Sequence, residues 1–374
     1  WPLICLTNEM KITPFAVEQW MNEYENHCEY NLAETCVESL TVEELLDLAD
    51  LGRNALDDIL SMKLTYGPIE GSERLRTAIA ALYDNVAVEN VLVTHGAIGA
   101  NKLVHETLVE AGDIVISVQP TYQQHYSIPA SYGADVKILS LRADNGYLPD
   151  IGELREMATP DTALIAINNP NNPTGSLMNT AMLAEIAQIA AANGAYVLCD
   201  EVYRGTDQAG SGTSTSIVDV SDHGISTGSM SKAFSLAGLR LGWIAARVEV
   251  IKAAELHRDY STISVGMIND FLAAIALEHA DTILGRSRSI TRTNLAILSD
   301  WVDAESRISW IKPQSGTTAL LRFDADLSSR DFCTALLRQT GVLFRHGSAL
   351  ESEGSVRIGY ANNEQILRDG LDQV

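Results

Sequence analysis

The segment Ser226-Thr-Gly-Ser-Met-Ser-Lys-Ala-Phe-Ser-Leu-Ala-Gly-Leu-Arg-Leu-Gly-Trp243 decides how the rest of the chain is read. Lys232 sits in a loop of small residues between two apolar runs, with Ser229 three positions before it and Arg240 eight positions after it. A hydroxyl and a guanidinium both hydrogen-bond phosphate, and a lysine among small residues can lose its proton and attack a carbonyl. Pyridoxal 5'-phosphate (PLP) carries both an aldehyde and a phosphate and would satisfy the whole stretch. The competing reading is a solvated surface lysine, the usual fate of that residue.

The surrounding chain supplies a scaffold for such a site. From Asn85 onward, short β-rich runs alternate with helical stretches: Val91–Thr94, Asp113–Val118, Val136–Leu141, Ala163–Asn168, Tyr196–Cys199, Gly224–Thr227 and Leu239–Ala246. This pattern predicts an α/β fold, a mostly parallel seven-stranded sheet covered by helices on both faces. Ligands bind such sheets outside the carboxyl ends of the strands.

Further along, Ile308–Ile311, Thr317–Phe323, Val342–Phe344 and Val356–Ala361 read as strands and Ser329–Thr340 as a helix, a smaller α+β unit. A single helical stretch over Met267–Leu298 would link the two parts. Before the sheet, helices are predicted over Pro14–Tyr24, Thr41–Leu60 and Ser72–Tyr83, with Leu64–Gly71 as a loop. The expected division is an N-terminal arm (1–40) shared with the small domain, a large cofactor-binding domain (41–265), and a linking helix with a small C-terminal domain (266–374).

The totals agree with a two-domain globular protein: 374 residues, 46% hydrophobic and 20% charged. Acidic residues outnumber basic ones 49 to 26, for a formal charge of -23, which opposes nucleic acid and anionic membranes as partners. No apolar run reaches membrane-span length and no basic-then-apolar leader opens the sequence, so a cytoplasmic protein is expected. Five scattered cysteines without a Cys-x-x-Cys pair read as reduced thiols, with no metal site.

Four other strand ends carry side chains suited to a cofactor. His95-Gly96-Ala97 opens a helix and leaves backbone N–H groups for an anion, although a tight turn explains it as well. Tyr122, after Gln119-Pro-Thr, offers a ring for stacking, or simple packing. Asn168-Asn-Pro-Asn-Asn-Pro-Thr-Gly175 is rigid enough to aim an amide into a cleft. Asp200, in Cys199-Asp-Glu-Val-Tyr203, is a carboxylate at the buried end of an apolar strand; a protonated pyridine or a structural cation would pair with it. Late in the chain, Arg357 lies within an apolar strand, suited to a carboxylate or to an internal ion pair.

Taken together, these motifs resemble the fold-type-I PLP-dependent enzymes, the class I/II aminotransferase superfamily with its aspartate aminotransferase-like fold, from about Tyr66 to Ala361. The resemblance implies that Lys232 is the Schiff-base lysine and moves the proton between substrate and cofactor. It implies that Asp200 pairs with the pyridine nitrogen, that Asn172 and Tyr203 bond the ring oxygen, and that Tyr122 stacks on the ring. Ser229, Arg240 and the backbone of Gly96 and Ala97 would hold the phosphate. Arg357 would hold the substrate α-carboxylate, with Asn172 and Thr35 also near the substrate. Tyr66 would reach the phosphate of a neighbouring subunit in a homodimer. Apart from the resemblance, Tyr260 and Arg258 lie on a segment that could reach across such a dimer.

The main expectation is therefore an aminotransferase moving an amino group between an α-amino acid and a 2-oxo acid. The N-terminal text, with Trp20, Tyr24 and Ala33-Glu-Thr-Cys36 in place of a Gly-rich segment, is similar to the branch containing capreomycidine synthase. That similarity implies the alternative of elimination and cyclisation of a hydroxylated arginine-type amino acid, as in capreomycidine or enduracididine synthases, or a related lyase. Glu9, Glu18 and Glu34 would suit a cationic side chain, but are read first as solvated surface carboxylates. A non-catalytic PLP-binding module is the third reading, opposed by the absence of a DNA-binding segment.

Overall fold

The computed structural model describes residues 12–374. All seven expected strands form one sheet: β1 (Val91–Thr94), β2 (Ile114–Gln119), β3 (Asp135–Ser140), β4 (Thr162–Asn168), β5 (Tyr196–Asp200), β6 (Gly224–Ser229) and β7 (Gly242–Ala245). Their order is β1-β7-β6-β5-β4-β2-β3, and only β7 runs antiparallel to its neighbours.

Alternation within the central strands separates two cores. Leu164, Leu198, Ile225 and Ile244 face one layer of helices, while Ile165, Ile167, Val197 and Cys199 face the other. Both faces are covered, which is why these strands read as continuous apolar runs. The carboxyl ends of β1, β2, β4, β5 and β6 share one edge of the sheet, and that edge carries Thr94, Gln119, Asn168, Asp200 and Ser229.

A second, antiparallel sheet contains β8 (Ile308–Trp310), β9 (Thr318–Phe323), β10 (Arg345–His346) and β11 (Ser355–Gly359), in the order β10-β11-β9-β8. The N-terminal arm joins it. Trp20, Met21, Leu32 and Ala33 pack into one core with Phe344, Val356, Ile358 and Tyr360. Tyr30–Asn31 also pairs in parallel with Val342–Leu343. The arm lies so close to β11 that a Cβ on Gly359 would fall 1.6 Å from the Glu34 carbonyl oxygen. Only glycine permits that approach, and it brings Glu34-Thr35-Cys36 over the strand bearing Arg357.

Several boundaries differ from expectation. The helix read over Thr41–Leu60 is two, Val42–Leu48 and Ala55–Ser61, broken where Asp50 and Gly52 take positive φ (54° and 59°). Met267–Leu298 is likewise two helices, Met267–Glu278 and Ala280–Ala304, interrupted at His279. The run read as Leu239–Ala246 is a strand only from Gly242, because Arg240 takes a left-handed conformation after a short turn. Val342–Phe344 also divides: Val342–Leu343 pairs with the arm, and the next pair, Arg345–His346, joins the antiparallel sheet.

Candidate active site

Lys232, Asp200, Asn172, Tyr203, Tyr122, Ser229, Arg240 and Arg357 all line one cavity of about 330 Å3 at the shared edge of the sheet, together with Ala97 and Thr35. Gly96 lies beneath it. An added Cβ there would sit 3.2 Å from the Arg240 guanidinium, so the arginine lies directly over the Gly96–Ala97 turn. Arg240 donates only to the carbonyl of Ala237 (3.1 Å) and has no carboxylate partner among the described residues. The turn opens the helix Gly96–Leu108, whose first N–H groups have no intrahelical partner. With Ser229 at the end of β6, these groups form a cradle of the kind that can hold an anion.

Gly242 makes this cradle possible. A Cβ there would fall 2.4 Å from the Gly96 carbonyl carbon and 2.5 Å from the Ala97 nitrogen. Gly242→Ala is expected to cost about 1–3 kcal/mol by forcing that backbone apart, and to speed loss of a phosphate-bearing cofactor. Thermal melting and a cofactor dissociation rate both equal to those of the parent would show that the turn is not built on Gly242.

Asp200 ends β5 and is 5% exposed. Its Oδ2 accepts from Asn101 Nδ2 at 2.8 Å, with His125 Nε2 at 3.4 Å, while Oδ1 takes the Val202 N–H at 3.3 Å. Asn101 is held in turn by Thr227, whose hydroxyl donates to its Oδ1 at 2.7 Å. The carboxylate is thus oriented by the Asn101 amide and the Val202 N–H and has no lysine or arginine partner among the described residues. Beside it, Asn168 ties the β4 end to β5 through the Asp200 carbonyl (2.8 Å), and its Oδ1 accepts the Asn172 N–H at 2.7 Å. Asn172 Oδ1 accepts from Arg357 Nη1 at 3.2 Å, and Arg357 Nη2 donates to the Ala33 carbonyl at 2.8 Å.

Lys232 is half-buried, and its Nζ donates to Thr35 Oγ1 at 2.6 Å and lies 3.4 Å from Cys36 Sγ. Burial pushes its pKa down, but the neighbouring Cys36, Tyr203 and Glu34 reverse this and leave it raised overall. Burial also pushes the Cys36 thiol up to about 11 and raises the Tyr203 hydroxyl, so both are neutral near pH 7. Of these three neighbours, Glu34 is the carboxylate.

Glu34 and Glu18 are not solvated surface carboxylates. Glu34 Oε1 accepts the N–H groups of Thr35 and Cys36 (2.7 and 2.9 Å), and Glu18 accepts the Tyr122 hydroxyl at 2.9 Å. The arm bends both into the cavity; Glu9 lies outside the described residues. Arg258 is buried and donates to the Val93 carbonyl, whereas Tyr260 is 95% exposed.

Tyr66 is absent from this cavity and is 79% exposed. Asn101, His125, Cys36 and Arg345 were not singled out from the sequence. Only Arg345, a charge directly after the apolar run Val342–Phe344, carried a signal comparable to that of Arg357. Among the described residues the four cysteines are free, no group of three or more metal-ligating side chains exists, and no helix is long and apolar enough to cross a membrane.

The profile of the family described as aminotransferase class I and II matches residues 44–372. This chain belongs to that family. Capreomycidine synthase of Streptomyces vinaceus is 31% identical over 358 residues, 95% of this chain and 91% of that protein. The crystal structure of a PLP-dependent aminotransferase from Streptococcus suis 89-1591 superimposes with a TM-score of 0.94 at 42% identity, covering 97% of each chain. That of the PLP-dependent cyclase OrfR does so with a TM-score of 0.90 at 28% identity, covering 98% of this chain and 97% of the other.

The fold is thus the aspartate aminotransferase-like fold type I, and the protein is a PLP-dependent enzyme acting on amino acids. The cavity fits that cofactor. Among the described residues Arg240 above the Gly96 turn has no carboxylate partner, Asp200 has no lysine or arginine partner, and Lys232 supplies an amine in the same cavity.

Proposed function

We propose that the enzyme is an aminotransferase exchanging an amino group between an α-amino acid and a 2-oxo acid, with Lys232 as the lysine that carries the cofactor. The convergence of Lys232 Nζ, the Asp200 carboxylate and the Arg357 guanidinium on one cavity supports this reading. When bound, PLP supplies a conjugated electron sink that makes the substrate Cα proton acidic.

Each residue then has a task. Gly96, Ala97, Ser229 and Arg240 would hold the phosphate. Asp200, oriented by Asn101, would favour a protonated pyridine nitrogen. Asn172 and Tyr203 would bond the ring oxygen, and Tyr122, held by Glu18, would pack against the ring. Arg357 binds the α-carboxylate, and Asn172 orients that guanidinium. Lys232 takes the proton from Cα and returns it, with Thr35 positioning its Nζ.

The cofactor-binding part is taken as residues 41–265, with 266–374 and the arm as the second part. The pairing of Tyr30–Asn31 with Val342–Leu343 supports grouping the arm with the C-terminal part. Tyr66 lies outside its own cavity and fully available, which suits a homodimer in which it completes the partner's phosphate site. Sedimentation as a dimer is expected; a fully active monomer would remove that role.

A second reading is elimination followed by cyclisation of a hydroxylated arginine-type amino acid. The 31% identity to capreomycidine synthase across 91% of its length favours it, as do the carboxylates of Glu18 and Glu34 at the cavity. Both reactions start with the same proton removal, so the cofactor residues do not separate them. A panel of amino acids incubated with 2-oxoglutarate does. Glutamate formation with a subset of donors is expected; a cyclised or deaminated product from hydroxylated arginine, with no glutamate from any donor, would replace the first reading by the second.

A further inference from the structure

Arg345 and Arg357 stand directly opposite each other on β10 and β11, and both line the cavity that contains Lys232. They are 1% and 2% exposed, and the Nε of each is buried without a hydrogen-bond partner. Side chains directly opposite on antiparallel strands leave the sheet from one face with Cβ atoms about 5 Å apart, so two guanidinium groups project into one pocket side by side.

Neither is neutralised within the chain. Among the described residues no carboxylate oxygen lies within 4.0 Å of either guanidinium. Arg345 Nη1 donates to the Val17 carbonyl, which is a neutral acceptor. The nearest acids are engaged elsewhere: Glu18 by the Tyr122 hydroxyl, and Glu34 by the N–H groups of Thr35 and Cys36 beside Lys232. They soften the repulsion between the arginines without pairing either one. Two adjacent buried cations are unfavourable unless anions join them. The α-carboxylate accounts for Arg357 and leaves Arg345 with capacity for another.

We propose that Arg345 is a second carboxylate-binding group of the substrate pocket, so that the enzyme takes an amino acid or 2-oxo acid bearing a second carboxylate on a short side chain. This rests on the assignment of Arg357 to the α-carboxylate, and it favours transamination of acidic substrates over cyclisation of cationic ones. The structural alternative is that Arg345 only tethers the helix Ala16–Tyr24 through Val17.

Calorimetric titration of the purified holoenzyme with succinate and with butyrate tests it, because the two differ by one carboxylate at the chain end. Succinate is expected to bind about tenfold or more tighter than butyrate, the range of one charge-assisted hydrogen-bonded contact. Arg345→Leu removes that advantage while leaving butyrate within about twofold, and Arg345→Lys retains part of it. Equal binding of the two acids by the parent protein would overturn the proposal. So would equal weakening of both acids in Arg345→Leu and Arg345→Lys, which is what loosening the helix would produce. Should Arg345→Leu fail to fold, the lysine variant carries the same comparison. Failure of the Arg357 assignment is separate: it would appear as unchanged butyrate binding in Arg357→Leu, whatever the ratio of the two acids in the parent protein.

Discussion

Lys232→Ala is expected to slow exchange of the substrate Cα proton with solvent by about 10^4-fold or more, and to leave the cofactor held by non-covalent contacts alone. The magnitude follows from what else surrounds the reacting carbon. Within reach of Nζ are the Thr35 hydroxyl and the Cys36 thiol, and neither is a base near neutral pH. Burial has pushed the thiol to about 11, and the Tyr203 hydroxyl is raised as well. Glu34 is the one carboxylate acting on the ammonium, and its Oε1 is occupied by two backbone N–H groups. No neighbour replaces the amine. Deuterium incorporation into a substrate amino acid, followed by NMR, measures the loss, with circular dichroism to confirm folding. A folded variant exchanging within about 100-fold of the parent would assign the proton transfer to another group.

Asp200→Asn is expected to lower the same rate by about 10^3-fold, the scale of losing one preorganised electrostatic partner, and to weaken cofactor binding. The substitution keeps the size of the side chain but removes the negative charge that favours a protonated pyridine nitrogen. The supporting contacts make the test sharp. Asn101 and Val202 each donate to one carboxylate oxygen, so Asp200→Asn removes the charge and one acceptor with little change of shape. Asn101→Ala leaves the charge and removes only an orienting contact, so a smaller loss is expected. Stopped-flow absorbance with an amino acid substrate compares the two. Equal losses would mean that orientation, not charge, is what Asp200 contributes.

Several candidate cofactor contacts were legible because they stand at the ends of short β-rich runs that alternate with helical stretches. Asp200, Ser229 and Asn168 end β5, β6 and β4, so finding the strands placed these side chains on one edge of the sheet. Helix breaks were less legible. Nothing in the apolar spacing of Thr41–Leu60 marks Asp50 as left-handed, and only Gly52 hints at the interruption. The substrate side was hidden for a different reason. Glu34 and Arg357 are 323 positions apart, and their neighbourhood depends on a glycine at 359 that lets the arm lie on β11. Long-range packing of this kind leaves no local pattern, so Glu18 and Glu34 read as surface acids. The in-register pairing of Arg345 with Arg357 needed the division of Val342–His346 between two sheets, which apolar content does not reveal.

One lysine, at the carboxyl edge of the large sheet, is expected to carry the cofactor. Borohydride reduction of the loaded protein, followed by peptide mapping for the phosphopyridoxyl group, tests this directly. The sequence holds six other lysines, at positions 11, 63, 102, 137, 252 and 312. Label on Lys232 alone is expected; label on any of the other six, or no stable label on the loaded protein, would overturn the assignment of Lys232.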